Sequence, residues 1–206
     1  MESRKHQQAW ERFLDPAVMQ DRLISSSLFI AAFESLKGSI IDRVKQFYQV
    51  GFGIGGDTLD PEYQTQVASR NSSPLYASID WLKEHDAISD EDIDLFNEVK
   101  LYRNRLAHSL LQMIADDDLE ELHQRFESLI SLLKKVEVWW VVNVEIPCNP
   151  DFDGGTEIDE EGIIPGPVWS MQLMMEVATG KSDYFEHYRQ QTKQNEQGSA
   201  HQSATR

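Results

Sequence analysis

Apolar positions along the chain recur at steps of three and four rather than two. Phe33, Leu36, Ile40, Val44 and Phe47 step by 3, 4, 4 and 3 inside a segment running from Ala17 to about Val50, which is the spacing of one buried stripe on an α-helix. Asp15-Pro16 opens that segment with a side-chain cap and a proline whose fixed φ suits the first helical turn. The glycine-rich stretch 51–56 ends it, and Asp57–Ser73 reads as a polar connection. After Pro74, the positions of Leu75, Ile79 and Leu82 predict a short helix. Ser89, followed by Asp90, Glu91 and Asp92, is a cap with an acidic first turn that suits the helix dipole, and it opens a helix to about Ile114.

Asp116, Asp117 and Asp118 stop that helix and cap the next. In the next one Leu119, Leu122, Phe126, Leu129, Leu133, Val136 and Trp140 step by 3, 4, 3, 4, 3 and 4, the most regular pattern in the chain. Val136–Ile146 also alternates like a strand, but the unbroken helical spacing leading into it favours a helix end. Pro147–Pro167 is rich in Asn, Pro, Gly and acids and reads as a loop. Val168–Val177 predicts one more helix, with Trp169, Leu173 and Val177 on its stripe, and beyond about Arg189 no apolar periodicity remains. The expected architecture is all-α. An antiparallel helical bundle fills residues 1–146, an acidic loop plus short helix packs on it over 147–190, and 191–206 form a disordered tail.

Composition narrows the function. The chain has 206 residues, 40% hydrophobic and 26% charged, with one cysteine, Cys148. That cysteine count excludes an internal disulfide and a Cys-rich metal site. The apolar run Val136–Val144 is interrupted by Glu137 and Asn143, and the N-terminal residues are polar, so neither a membrane span nor a secretory signal is expected and the chain reads as cytoplasmic. The formal net charge is −16, the wrong sign for a protein that tracks nucleic acid over a broad basic surface. Residues 1–115 carry 12 basic and 17 acidic side chains (net −5), and residues 116–206 carry 7 and 18 (net −11). A small local positive site therefore belongs in the first half.

The helix opened by Ser89 holds the candidate chemistry. With Asn104 at zero and about 100° per residue, Val99, Leu106 and Leu110 fall on one side, with Leu95, Tyr102 and Met113 close by, as a core face. His108 lies on the other side beside Asn104, flanked by Leu101, Leu111 and Ile93. A second apolar patch around an imidazole implies a face covered by another helix or by a second subunit. Arg103 sits between the two faces, with the reach to join His108.

The run Arg103-Asn104-Arg105-Leu106-Ala107-His108 resembles the Arg-x4–6-His signature of the HEPN superfamily of small all-helical proteins, including the polar residue directly after the arginine. The resemblance covers roughly residues 15–145. It implies a HEPN-like bundle acting as a homodimer, with two motifs facing each other across a two-fold axis and no metal or cofactor. It further implies an endoribonuclease, a toxin or phage-defence effector, that leaves 2′,3′-cyclic phosphate and 5′-hydroxyl ends. His108 would then move a proton at the 2′-hydroxyl or the leaving 5′-oxygen, a task suited to an unperturbed pKa of about 6.5. Arg103 would hold the scissile phosphate, and Asn104 would orient His108 from one turn earlier. Lys100 and Arg105 would add local attraction for the RNA backbone or serve as surface charges. An antitoxin or another protein is a further possible partner.

Competing readings stay open at this stage. Arg103, Asn104 and His108 also suit a hydrogen-bonded contact in a non-catalytic helical dimer that binds a partner or a nucleotide. The other histidines have no ligand spacing. Gly51–Gly56 lacks the GxxxxGK[ST] pattern and a preceding strand. Asp151–Gly162 approaches the spacing of a calcium loop but offers glycine at two ligand positions, Gly155 and Gly162. Trp139 and Trp140 are expected to pack the appendage on the bundle.

Overall fold

The computed structural model describes residues 2–53, 56–116, 121–150, 158–178 and 180. In chain order these form α1 (Glu2–Leu14), α2 (Pro16–Phe47), a hairpin of β1 (Gln49–Gly53) and β2 (Gly56–Leu59), α3 (Pro61–Tyr63), α4 (Pro74–Glu84), α5 (Asp90–Asp116), α6 (Leu122–Trp140), α7 (Ile146–Cys148) and α8 (Gly166–Ala178). π-helical turns lengthen α3 at Gln64–Ala68 and join α6 to α7 at Val141–Glu145. The chain is mostly helical. It divides into two units between Trp169 and Ser170, and the packing described below lies within the first, apart from residues 170–178 of α8.

α2 is the central element and touches α1, α4, α5 and α6. Its start follows from sequence: the Asp15 carboxylate accepts from the backbone N–H groups of Ala17 and Val18, with Pro16 at the first helical position. By length and composition α2 is apolar enough to cross a membrane, but Phe29, Ala32, Phe33, Leu36, Ile40 and Val44 are buried in the chain's own core. Against them pack Leu122, Phe126, Leu129, Leu133, Val136 and Trp140, the regular stripe of α6, all buried. α5 opens with a reciprocal cap: the Ser89 hydroxyl accepts from the Asp92 N–H (3.3 Å) and the Asp92 carboxylate from the Ser89 N–H (2.7 Å).

The N-terminal segment, inside the expected bundle but given no element of its own from the sequence, is a helix, α1, tied to α5 by Arg12, whose Nη2 donates to the Ala115 carbonyl at 2.7 Å. Several expectations are corrected. The glycine-rich stretch is a hairpin rather than a plain break: β1 and β2 pair antiparallel, with Phe52 opposite Asp57 and Gly53 opposite Gly56. Gly56 takes φ +107° there, a backbone state that side chains disfavour. The polar connection after it holds β2, α3 and a π turn. The ambiguous Val136–Ile146 segment is helical throughout, in its α and π forms. In α8 the buried residues are Val168 and Met171, whereas Trp169 and Val177 are more than half exposed, so its stripe lies one residue off the expected one. Trp140 stacks on Trp81 of α4 at 5.8 Å and 10°, and Trp139 meets the same ring edge-on, so this pair closes the α4–α6 contact. Residues 151–157 of the calcium-like stretch, 117–120, and nearly all of 179–206 lie outside the described residues.

One buried ion pair was not legible. Glu137 on α6 is 1% exposed and accepts from Arg43 Nη2 of α2 at 2.6 Å, while Arg43 Nη1 reaches Glu145 in the π turn. Removing one partner of such a pair strands a buried charge. Arg43→Met is therefore expected to cost about 3–5 kcal/mol in urea unfolding, and adding Glu137→Leu to restore most of it; a double variant no better than the single would contradict this account. Asp92 gives a second expectation. Burial pushes its pKa up, but the Lys135 ammonium and the Ser89 N–H and hydroxyl hold it below the ordinary value. A depressed carboxylate contributes stability above its unfolded pKa, about 3.9, and loses it as pH falls through the folded value. The stability gap between wild type and Asp92→Asn should be widest above about pH 5 and narrow towards about pH 2, read from urea midpoints across pH.

Candidate active site on α5

Aromatic contacts set the register of α5 on α2. The Phe33 and Phe96 rings stack at 5.7 Å, and Phe29 meets Tyr102 edge-on at 5.3 Å and Phe126 at 6.4 Å. Val99, Tyr102, Leu106 and Met113 are buried as the wheel requires. Leu95 and Leu110 are half-buried, and Phe96 and Ile114 join the core. The backbone leaves helical geometry at Ser109 (φ −132°, ψ 19°), directly after His108, but Met113 and Ile114 beyond it still face the core.

With the register fixed, Arg103 lies over the Phe33 ring, its guanidinium carbon 5.6 Å from the ring centroid. Its Nη2 donates to Glu34 of α2, and its Nη1 donates to the Asn104 Oδ1 at 3.3 Å. Its Nε is buried without a partner. Glu34 is shared with Lys37, 3.3 Å away. Burial pushes the Glu34 carboxyl up, but hydrogen bonding and charge from Lys37 and Arg103 outweigh this and hold it below the usual range.

The motif is thus only partly assembled. Arg103 and Asn104 are joined to each other, but Arg103 turns to α2 and not to His108, contrary to the expected reach. Asn104 is engaged by Arg103, and among the described residues His108 has no hydrogen-bond or ion-pair partner. His108 is exposed, and so are its neighbours on the same face, Leu101 (70%) and Leu111 (60%). No other described helix of this chain covers them.

Two features escaped the sequence reading. Glu34 is 69 residues from Arg103, and a contact that distant leaves no trace in local spacing. One turn before Asn104, the Lys100 ammonium donates to the Tyr76 hydroxyl at 2.9 Å and lies 4.7 Å from the centre of that ring, and Tyr76 donates to Asn97 Oδ1 at 3.0 Å. Among the described residues no group of three or more His, Cys, Asp or Glu is placed to hold a metal. A separate open cleft of about 430 Å³ includes Lys134, Lys135, Trp139 and Asn143 in its wall and none of the motif residues.

The Glu34–Arg103 pair is partly exposed at both ends, so solvent screens it. A double-mutant cycle with Glu34→Gln and Arg103→Gln should give a coupling of no more than about 1 kcal/mol in urea unfolding, smaller still in high salt. A larger coupling would mean that this pair is structural. Because the Glu34 pKa is depressed, whatever it contributes is present above the unfolded carboxylate value and lost as pH falls through the folded one.

Compared with family models, curated proteins and solved structures, the chain matches none.

Proposed function

We propose that this protein is a metal-independent endoribonuclease of HEPN type, a toxin or phage-defence effector, that cleaves RNA to 2′,3′-cyclic phosphate and 5′-hydroxyl ends at the interface of a two-fold dimer. The observation that carries the reading is the face of α5: an exposed imidazole, His108, between two exposed leucines, Leu101 and Leu111. Large exposed apolar side chains around a titratable group fit a surface that a second copy covers. In that dimer His108 moves the proton at the 2′-hydroxyl or at the leaving oxygen. Arg103, held over Phe33 beside Asn104, places positive charge where the phosphate gains negative charge. The chemistry needs only proton transfer and charge stabilisation, so the residues present suffice without a cofactor.

A second reading is favoured by a specific contact. Glu34 already occupies one edge of the Arg103 guanidinium, as suits a non-catalytic helical dimer whose motif binds a partner or a nucleotide. One experiment separates the two: total RNA with purified protein in EDTA, wild type beside His108→Ala, with product ends analysed. The nuclease reading expects cleavage by wild type alone, a loss of at least about 100-fold in the variant, and cyclic phosphate ends. Equal cleavage by both proteins, or none by either, would move the assignment to the binding module.

A further inference from the structure

Seven cations among the described residues are paired with acids. Lys37, Arg43, Arg70, Lys83, Arg103, Arg125 and Lys135 each pair with a carboxylate. Lys100 differs. Its ammonium meets a phenol hydroxyl and an aromatic ring, and among the described residues no carboxylate stands within ion-pair distance of it. It also sits in register with the motif: Lys100, Asn104 and His108 are spaced i, i+4, i+8 on α5 ahead of the Ser109 kink, so they share one stripe with about 6 Å between successive members. That step is of the order of one nucleotide in an extended single strand.

We propose that Lys100, with Tyr76 as its aromatic support, is the phosphate-holding cation of a second nucleotide subsite, and that single-stranded RNA runs along α5 from this subsite to His108. The proposal rests on the ribonuclease reading for the direction of the strand and for the chemistry at His108. Its own content is a binding site that does not require cleavage. Three features support it. The cation is not neutralised by a neighbouring acid, unlike Arg103. A positive charge beside an aromatic ring is the pairing by which single-strand sites hold backbone and base together. Finally, Asn97 fixes the Tyr76 hydroxyl from the preceding turn of α5, which keeps the ring and the ammonium in place before RNA arrives.

The test uses the full chain and a short single-stranded oligoribonucleotide carrying 2′-O-methyl groups, which removes the nucleophile and makes the probe uncleavable. Binding is followed by fluorescence anisotropy from about 50 to 200 mM salt. Lys100→Gln should weaken binding about tenfold and lower the salt slope by about one unit, the signature of one lost phosphate contact. Lys100→Arg should keep both close to wild type. Lys45→Gln, which removes an equal charge from α2 outside the stripe, should shift affinity less than about twofold, since charges beyond a Debye length are largely screened. A helical role alone would lower the melting temperature of Lys100→Gln and leave the salt slope unchanged. Wild-type slope in Lys100→Gln, an equal loss in Lys45→Gln, or no binding of the probe by wild type would each overturn the proposal. Binding that depends on Lys100 without cleavage of the unmodified strand would uphold the subsite while removing the nuclease reading.

Discussion

The packing of α2 on α5 through Phe29, Phe33, Phe96 and Tyr102 is the constraint on which the candidate site depends. Aromatic rings lock the rotation and the axial position of a helix more tightly than aliphatic side chains, because their stacked and edge-on geometries tolerate little sliding. Here the Phe33–Phe96 stack and the Phe29–Tyr102 edge contact act one turn apart on α2. In this register Arg103 lies over Phe33, with Glu34 at its end. The outer stripe of Lys100, Asn104 and His108 follows from the same rotation. A shift of one residue along α5 would turn that stripe by about 100° and bury part of it.

Charge is the second organising feature. A net charge of −16 opposes any polyanion, yet the described cations are not diluted evenly by the acids. Seven of them are pinned to carboxylates, some of these shared, which holds the surface together locally without creating a positive field. An RNA-binding site on such a protein cannot rely on long-range steering, whose strength follows the summed charge. It has to work at short range, where a single ammonium or guanidinium within hydrogen-bonding distance of a phosphate outweighs distant, screened carboxylates. Under the proposed reading Lys100 would supply such a short-range contact, and a site of so few phosphate contacts would carry a shallow salt dependence.

Most of the helical architecture could be read from the chain because the α6 stripe and the caps at Asp15 and Ser89 are local signals, and the structure follows them closely. What could not be read was either sparse in apolar positions or non-local. α1 has few apolar positions and is tied down by the Arg12 contact with the far end of α5. The β-hairpin rests on glycines, including the positive φ of Gly56, which announce a turn but not the pairing on either side of it. The candidate motif was visible as residue types and spacing; its geometry was not. Glu34 lies 69 positions from Arg103, and the backbone departure at Ser109 leaves no mark in the hydrophobic pattern. Each of these changes what the motif can do.

That departure bears directly on chemistry. An exposed histidine with no orienting partner samples several rotamers, and proton transfer is efficient only when the imidazole is held within hydrogen-bonding reach of the reacting oxygen. His108 in a single chain lacks that restraint: Asn104 is committed to Arg103, and Arg103 to Glu34. A nuclease built on this helix therefore requires a further group to fix the ring, one that the described residues do not supply. The exposed Leu101 and Leu111 flank the position from which such a group would approach. Covering them would also exclude water and strengthen every charge interaction at the site. A binding module has no such requirement, since a mobile imidazole can still accept or donate one hydrogen bond to a docked partner. The decisive physical difference between the two readings is thus the order of His108: a nuclease needs the ring held, and a binding module does not.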